Sequence, residues 1–505
     1  MHRCLMAFFV FTGMALQSGG LPAEDLRASV ERYVEDNQKA ILVELLEALS
    51  IPSVAADHDN IRRKAELLRR SLKKRGLRAE LLETDGNPLV HGYLAVPGAE
   101  TTLLLYCHYD GQPVDATMWQ QKDPFQPVIL DGKLSEDTRE IDISRTTRFE
   151  SDWRVYARSA SDDTGPIIAL LAAFDALDAA GVSPTSNIRV ILDGEEEAGS
   201  PNLVPAIERY RDRLAADVML ILDGPLHQSG RPTVEFGARG ILTVELTVFG
   251  PAMSLHSGHY GNWAPNPAMQ LAQLLASMKD AEGRVKIAGY YDGIELDSRD
   301  RDMLDSVPDD LDEIGRQLGF SRPEAVGRTL QEALQYPSLN IRGLRSAWVG
   351  GESRTIVPHT ATAGIDIRLL RETEPEDMFA KLVAHIEDQG FHIVATDPDA
   401  DTRATHARIV KVTRGATMRA YRTDPENEIA QAVVRAIAGV RDDPVVLKRT
   451  SGGTVPIAPF IEALGLPALG IPTVNFDNNQ HSPNENVRLG HFFDSIVTFA
   501  AILSL

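Results

Sequence analysis

The sequence is short of cysteine and of positive charge, and each shortage excludes a class of protein. Its 505 residues include two cysteines, Cys4 and Cys107. Cys4 lies in a segment that we expect to be removed on export, so no intrachain disulfide would remain in the mature chain. Lys and Arg number 51 against 72 Asp and Glu, which gives a formal charge of −21. A field of this sign repels phosphate backbones, so it argues against a general nucleic-acid binder and suits a protein that collects cations.

The N-terminus has the layout of a secretory signal peptide. Arg3 precedes an apolar run at residues 4–10, which resumes at 14–16, and small and polar residues follow at 17–23. The run is too short to span a bilayer comfortably, and no other stretch of the sequence is long and apolar enough to do so. We therefore predict a signal peptide at 1–23 and a periplasmic or secreted mature chain without a membrane span. The alternative is a buried N-terminal helix.

The remaining chain has the pattern of an α/β protein that is interrupted once. A length of 505 residues suggests two or three domains, and 43% apolar residues are enough for a large core. Short apolar runs at 102–106, 187–192 and 218–222 alternate with a helical pattern at 165–181. This alternation predicts a mainly parallel sheet with helices on both faces.

A second, smaller α+β unit interrupts this pattern. Residues 241–249 and 360–369 alternate between apolar and polar, as half-exposed antiparallel strands do, and 266–278 and 376–389 are helical candidates beside them. A helix predicted at 426–438 belongs to the returning first unit. The sequence therefore predicts a catalytic domain in two parts, 24–237 and 416–505. An inserted domain at 238–415 separates them.

Acidic residues and a histidine follow successive predicted strands. They are His108 and Asp110, then Glu195, Glu196 and Glu197, then Asp223, with Asp162 and Asp163 before the helix at 165. Ligands of open α/β sheets bind beyond the carboxyl ends of strands, and such a side-chain set suits zinc, manganese or cobalt. Any one of these residues is more simply a turn former or helix cap, but four such groups in chain order indicate a metal site.

Five motifs in order resemble those of the M20 metallopeptidases, particularly the carnosinase-like dipeptidase branch. They are LYCHYDGQPVD at 105–115, RSASDDTGP at 158–166, GEEEAGS at 194–200, LDG at 222–224 and NQHSPNE at 479–485. Trp119 and the Asp-Pro-Phe at 123–125 fit the same branch, and the resemblance runs from about residue 30 to the C-terminus.

The resemblance implies two divalent metal ions per subunit, with Zn²⁺ expected and Mn²⁺ or Co²⁺ as alternatives. One ion would be held by His108, Asp162 and Asp223. The other would be held by Asp162, Glu197 and His481, so that Asp162 bridges the pair. Glu196 would be the general base, and Asp110 would fix the tautomer of His108. The glutamate triplet leaves the alignment ambiguous, and the Ala-Gly-Ser that follows favours Glu196 as base and Glu197 as ligand.

The resemblance also gives the inserted domain a role as lid and dimerisation domain. His256 matches a lid histidine that reaches the partner subunit's active site and stabilises the oxyanion, so we expect a homodimer. Arg368 matches a lid arginine that binds a substrate carboxylate. Gly453 and Thr454, with Gly452, match a glycine-rich loop that contacts the substrate. The alternative for Arg368 is a surface ion pair on an edge strand.

Some residues depart from the family pattern, and the roles of others are not decided by the sequence. The usual Gly-Arg-Gly before the bridging aspartate is Ala-Arg-Ser at 157–159, and the usual lysine after the aspartate pair is Thr164. We expect the polar stretch 135–152 and the acidic stretch 297–312 to be solvated surface. His227 either lines the cleft or is structural, and Cys107 is expected to be a buried structural thiol.

Three functions remain after this reading. The first is a dinuclear metallohydrolase that cleaves dipeptides or short peptides. The second is an N-acyl-amino-acid deacylase with the same machinery and a different pocket. The third is a non-catalytic peptide-binding protein, which would be expected to lack a ligand or the base, and the sequence lacks neither.

Overall fold

The computed structural model describes residues 22–505, so nearly all of the predicted signal peptide lies outside the described residues. The helices are α1 (Ala23–Leu49), α2 (His58–Lys74), α3 (Thr164–Ala180), α4 (Leu203–Leu214), α5 (Ser257–Tyr260), α6 (Pro267–Met278), α7 (Ser298–Asp305), α8 (Leu311–Leu318), α9 (Leu330–Ala333), α10 (Pro375–Asp388), α11 (Ala400–Thr405), α12 (Glu428–Val440), α13 (Ala458–Leu464) and α14 (Leu489–Leu503).

The strands are β1 (Arg78–Leu82), β2 (Leu89–Leu94), β3 (Thr102–His108), β4 (Val128–Leu130), β5 (Arg154–Tyr156), β6 (Asn187–Asp193), β7 (Val218–Ile221), β8 (Thr233–Glu235), β9 (Gly237–Ala238), β10 (Gly240–Phe249), β11 (Leu255–His256), β12 (Ser338–Arg345), β13 (Ile356–Val357), β14 (Thr360–Leu369), β15 (His392–Val394), β16 (Ile409–Met418), β17 (Tyr421–Arg422), β18 (Val446–Lys448), β19 (Ala468–Gly470) and β20 (Asn486–Arg488). Among residues 22–505, no helix is both long enough and apolar enough to cross a membrane.

An eight-stranded sheet in the order β1-β2-β6-β3-β7-β19-β8-β18 forms the larger unit. Its centre is parallel, since β3 pairs in parallel with β6 and β7, and β19 pairs in parallel with β7. These strands are buried, as expected for apolar runs covered on both faces. The antiparallel edge strands β1 and β2 make the sheet mixed.

Helices cover both faces of this sheet. One core cluster contains residues of α1, α2, α3, α12 and α14, and a second cluster on the other face contains residues of α4 and α13. α3 is buried on nearly every side, which explains why its sequence is apolar almost throughout. The predicted α/β architecture is confirmed, and α12 and α14 show how the C-terminal part of the chain returns to the same core.

A five-stranded sheet in the order β12-β14-β10-β16-β15 forms the second unit. β14 alternates between partly exposed and buried positions, and its buried side packs with residues of α6 and α10. This matches the period-two pattern of a sheet with one covered face. The sheet extends to Met418 at the end of β16, and the domain boundaries at 238 and 415 stay predictions.

The two stretches expected to be solvated differ in structure. Residues 135–152 are turns and irregular chain that include a bridge at Glu140 and the buried Phe149. The acidic stretch 297–312 is not wholly solvated, because Asp309 and Asp300 contact His227 and Arg449 of the larger unit. Its carboxylates therefore join two parts of the chain.

Replacing a central core residue tests this packing. Leu105 in β3 is fully buried in the main cluster, so Leu105→Ala should lower the free energy of unfolding by about 3 kcal/mol through lost contacts and a residual cavity. Chemical denaturation followed by fluorescence measures the change. Val43→Ala on α1 is the control, because Val43 is 48% exposed. Equal effects of the two substitutions would contradict the assigned core.

Candidate metal centre

The candidate site lies at the carboxyl ends of three neighbouring parallel strands. His108 is the last residue of β3 and lies opposite Asp193, the last residue of β6. The glutamates 195–197 follow β6 directly, and Asp223 follows β7. Because these strand ends share one edge of the sheet, residues more than 100 positions apart in sequence meet there.

The structure brings all five predicted ligands together in two overlapping groups. His108, Asp162 and Asp223 form one group, and Asp162, Glu197 and His481 form the other. Within each group the candidate ligand atoms lie within 4.8 Å of one another. Asp162 belongs to both groups, and the two groups contain three carboxylates and two imidazoles.

Asp162 joins the two groups through its two carboxylate oxygens. Oδ1 lies 2.8 Å from Nε2 of His108, and Oδ2 lies 3.1 Å from Nε2 of His481. Asp162 precedes α3 and its peptide bond to Asp163 is cis. His481 approaches from a loop in which it adopts a positive φ of 58°, and its side chain is the most exposed of the five.

Asp110 connects the histidine of one group with the glutamates. Its Oδ1 lies 3.3 Å from Nδ1 of His108, which leaves Nε2 facing Asp162. Its two oxygens also accept the backbone N–H groups of Glu196 and Glu197 at 3.1 and 3.0 Å. One buried carboxylate therefore orients the ring of His108 and the turn that presents both glutamates.

The structure separates the three glutamates of the triplet. The carboxylate of Glu195 accepts hydrogen bonds from the backbone of Asn87 and the side chain of Asn202. Glu197 lies 3.4 Å from His481 and accepts a hydrogen bond from Gln112. Glu196 lines the same cavity as Asp162, Asp223 and His481. Glu195 is thus occupied away from the cluster, whereas Glu196 faces it.

Sequence reasoning missed the role of Glu485, although it lies in the last motif. Its buried carboxylate accepts hydrogen bonds from Arg158 Nη1, the backbone N–H groups of Ser159, Ser161 and Asp162, and the hydroxyl of Ser161. These contacts hold the loop that carries Asp162. A buried acid directly before a strand carries no sequence signal that separates it from a surface residue.

Lys64 was also missed, because it lies on α2 outside every motif. It is fully buried, and its Nζ donates a 2.7 Å hydrogen bond to the hydroxyl of Thr164. Burial lowers the pKa of Lys64 to about 7, although Asp110, Glu485 and Asp163 act in the opposite direction. The lysine therefore places an amine against the residue that directly follows Asp162 and Asp163.

The acidic groups perturb one another strongly. Burial, with repulsion from Asp162, raises the pKa of Asp223 to about 6 and that of Glu197 to about 7. Burial also raises the pKa of Glu196 well above its ordinary value. The hydrogen bond to Asp162 raises the pKa of His481 to about 9. Divalent cations among these oxygens and imidazole nitrogens would offset this repulsion, so the residues fit a pair of such ions.

The predicted substrate-binding residues and the predicted catalytic histidine of the lid lie in two places. Gly453 and Thr454 line the same cavity as Asp162 and Glu196. Arg368 on β14 donates a 2.7 Å hydrogen bond from Nη1 to the hydroxyl of Thr454, so it is beside that loop. His256 lies apart: its ring accepts the N–H of Gly258 and stacks near His259, and none of its hydrogen bonds in residues 22–505 reaches the acidic cluster.

Two further expectations concern residues near the cluster. Cys107 is a free, fully buried thiol in the main core, and burial raises its pKa well above the ordinary value. His227 lines the cavity and also forms a structural contact with Asp309 at 2.9 Å. The two interpretations that the sequence left open for His227 therefore both apply.

Comparisons with known proteins agree with the arrangement. Residues 136–505 match the model of peptidase family M20/M25/M40. The matched range contains Asp162, Glu196, Glu197, Asp223 and His481 and begins after His108. The chain is 24% identical to the Cys-Gly metallodipeptidase dug1 of Schizosaccharomyces pombe over 485 residues, which covers 92% of this chain and 95% of that protein.

A human relative and two solved structures extend the comparison. The Beta-Ala-His dipeptidase of Homo sapiens is 26% identical over 424 residues, covering 82% of this chain and 76% of the relative. The M20 family metallo-carboxypeptidase Sso-CP2 from Sulfolobus solfataricus matches with a TM-score of 0.74 at 29% identity, covering 92% and 98% of the two chains. Human carnosine dipeptidase 1 matches with a TM-score of 0.72 at 23% identity, covering 95% and 98%, and shares the fold.

Removing the charge of Glu485 tests its support of the Asp162 loop. Glu485→Gln should lower the free energy of unfolding by about 3 kcal/mol, because the buried Arg158 loses its charged partner and the backbone donors lose an acceptor. Thermal unfolding measures the change. Glu426→Gln is the matched control, since Glu426 is exposed. A Glu485→Gln variant as stable as this control would contradict the assigned role.

Proposed function

The chain belongs to peptidase family M20/M25/M40 and is an M20-type metallopeptidase, and from this premise we propose that it is a dipeptidase. It hydrolyses the amide bond of dipeptides or short peptides with the help of two divalent metal ions. The observation that carries the proposal is the sharing of Asp162 between two ligand groups with Glu196 beside them. The relatives with dipeptidase activity in their names, which match along most of this chain, support the choice of substrate.

Each group would hold one ion, with Asp162 contributing to both. When bound, the ions polarise the scissile carbonyl and lower the pKa of a water molecule. Glu196 then accepts a proton from the attacking water on its carboxylate and delivers it to the leaving amine. Asp110 keeps Nε2 of His108 directed into the site.

Thr454, Gly453 and Arg368 are proposed to position the substrate. Gly453 and Thr454 line the cavity, and the guanidinium of Arg368 is held at Thr454. Among the described residues, the side-chain contact of the Arg368 guanidinium is with the neutral hydroxyl of Thr454, so its charge is available for the carboxylate of a dipeptide. An N-acyl amino acid carries the same carboxylate, so the deacylase stays the alternative that a substrate panel must separate.

We propose Zn²⁺ as the bound metal and export as the cellular route. Two imidazoles and three carboxylates are a donor set that zinc accepts, and Mn²⁺ or Co²⁺ are the alternatives. The apolar segment and small residues at 1–23 support export to the periplasm or beyond the cell.

We further propose that the chain forms a homodimer through the unit with the five-stranded sheet. Large apolar side chains are exposed in this unit, and we call them the lid patch: Tyr260, Trp263, Leu344, Trp348 and Val349. Trp263 is 86% exposed, which is unusual for a residue of this size. A second copy would cover the patch in a closed twofold dimer and bring His256 to the other active site.

Removing the proposed base should separate metal binding from catalysis. Glu196→Gln should lower kcat for dipeptides by at least about 100-fold, because proton transfer is lost, while elemental analysis still finds about two metal ions per chain. Glu208→Gln on the exposed side of α4 is the control and should leave both unchanged. Near wild-type turnover in Glu196→Gln would show that the base is another group, and cleavage of N-acetyl amino acids alone would favour the deacylase.

Mixed dimers test the contribution of His256 across subunits. His256→Ala and Asp162→Ala should each be inactive as homodimers, the first with its metal ions still bound. Co-refolded in equal amounts, they should recover about a quarter of wild-type activity, since half the dimers are mixed and each mixed dimer has one complete site. Absence of recovery in dimers verified by mass spectrometry would exclude the role across subunits.

A further inference from the structure

The cavity that contains the acidic cluster extends well beyond it. Its volume is about 550 Å³, and Asp162, Glu196, Asp223 and His481 occupy one end. Much of the remaining wall comes from the segment 297–335, which the sequence predicted in part to be solvated. This wall segment contributes the apolar side chains of Ile314, Leu318, Leu330 and Leu334 to the lining, and Leu226 and Phe476 also line the cavity.

The wall segment is attached on one side to the loop that follows Asp223. His227 Nε2 lies 2.9 Å from Oδ1 of Asp309, and both side chains are buried. The other oxygen of Asp309 accepts a 2.9 Å hydrogen bond from Gln331 in α9. The carboxylate of Asp309 therefore connects two parts of the wall segment with each other. It also connects the wall segment with the loop that follows Asp223.

On its other side, the wall segment is attached to Arg449 and Thr450, which lie shortly before the glycine-rich loop. Arg449 donates to Asp300 at 2.6 Å and to Gln335 at 2.9 Å, and the hydroxyl of Thr450 donates to Gln335 at 3.2 Å. Within the wall segment, Glu332 pairs with Arg301 and Arg328. These contacts at both ends define the position of the wall relative to the site.

Helix α8 presents an apolar face that the rest of the described chain leaves uncovered. None of its residues is buried, although Ile314 and Leu318, four positions apart on one face, both line the cavity. Leu318 is 68% exposed. The apolar face therefore borders the space next to the acidic cluster, where a substrate side chain would lie.

Charges on the cavity wall away from the acidic cluster are paired. Lys448 and Glu235 contact each other at 2.5 Å, and Asp309 is paired with His227. A charged substrate side chain placed against this wall would lose water without gaining a free partner, whereas an apolar side chain would bury its surface there.

We propose that the wall segment forms a side-chain pocket that selects peptides with a bulky apolar residue beside the scissile amide. The proposal rests on the proposed dipeptidase function and names its substrate class. The occupant is the substrate side chain, because the apolar wall and the acidic cluster line one continuous cavity.

The test compares substrates and two matched variants of α8. Wild-type protein loaded with zinc is assayed with Leu-Leu, Phe-Leu, Ala-Ala, Gly-Gly, Asp-Ala and Lys-Ala. Leu318→Asp puts a charge on the cavity wall at an exposed position that should not disturb folding. Leu311→Asp is the control on the same helix, since Leu311 is 45% exposed and does not line the cavity. Binding of Leu-Leu and Gly-Gly to zinc-loaded Glu196→Gln protein is measured by calorimetry.

We expect wild-type kcat/KM to be at least about tenfold higher for Leu-Leu and Phe-Leu than for Ala-Ala, Gly-Gly or the charged dipeptides. Leu318→Asp should lower kcat/KM about tenfold for the two bulky substrates and change it little for Gly-Gly. Leu311→Asp should have the kcat/KM values of the wild type. Leu-Leu should also bind the Glu196→Gln protein more tightly than Gly-Gly.

Three results would contradict the proposed pocket. The wild type could prefer small or charged dipeptides, or it could cleave all six dipeptides at equal rates. Leu318→Asp could also lower kcat/KM equally for every substrate. Failure of the proposed function looks different: no dipeptide would be cleaved, and the calorimetric preference for Leu-Leu over Gly-Gly would still decide whether the pocket exists.

Discussion

The structure depends on holding several carboxylates together in a buried place. Asp162 is central to this arrangement, because one of its oxygens contacts His108 and the other contacts His481. Without compensation, carboxylates this close would repel one another and take up protons, as the raised pKa values of Asp223 and Glu197 indicate. The surrounding fold supplies this compensation through hydrogen-bond donors and buried cations, and divalent metal ions would complete it.

The compensating groups come from distant parts of the chain. Lys64 lies on α2 near the N-terminus, Arg158 precedes the Asp162 loop, and Glu485 lies shortly before α14. Glu485 adds another negative charge, but it organises Arg158 and the backbone N–H groups around Asp162. The arrangement therefore requires the C-terminal part of the chain to pack onto the part that carries Asp162.

Whether a feature could be predicted from the sequence depends on how far apart in the chain the interacting residues lie. The apolar runs and their terminal acids are local patterns, so the strands, the α/β class and the candidate ligands at their ends could be derived from the sequence. The supporting roles of Lys64 and Glu485 arise from contacts across 100 and 324 residues of sequence, and no local pattern marks a lysine as buried. The prediction that 297–312 is solvated missed two carboxylates for the same reason: most of the stretch is exposed, but Asp300 and Asp309 have partners on distant loops.

The acidic cluster and the wall segment line the same cavity but are held in place by different parts of the fold. The chemistry is concentrated at strand ends of the large sheet, whose positions are set by the central core and change little when the surface varies. Another wall is a helical segment attached to the larger unit through polar contacts at His227 and Arg449 and through Met303, which packs against the main core cluster. Substitutions on α8 can therefore alter the shape and polarity of the wall while the acidic cluster keeps its geometry.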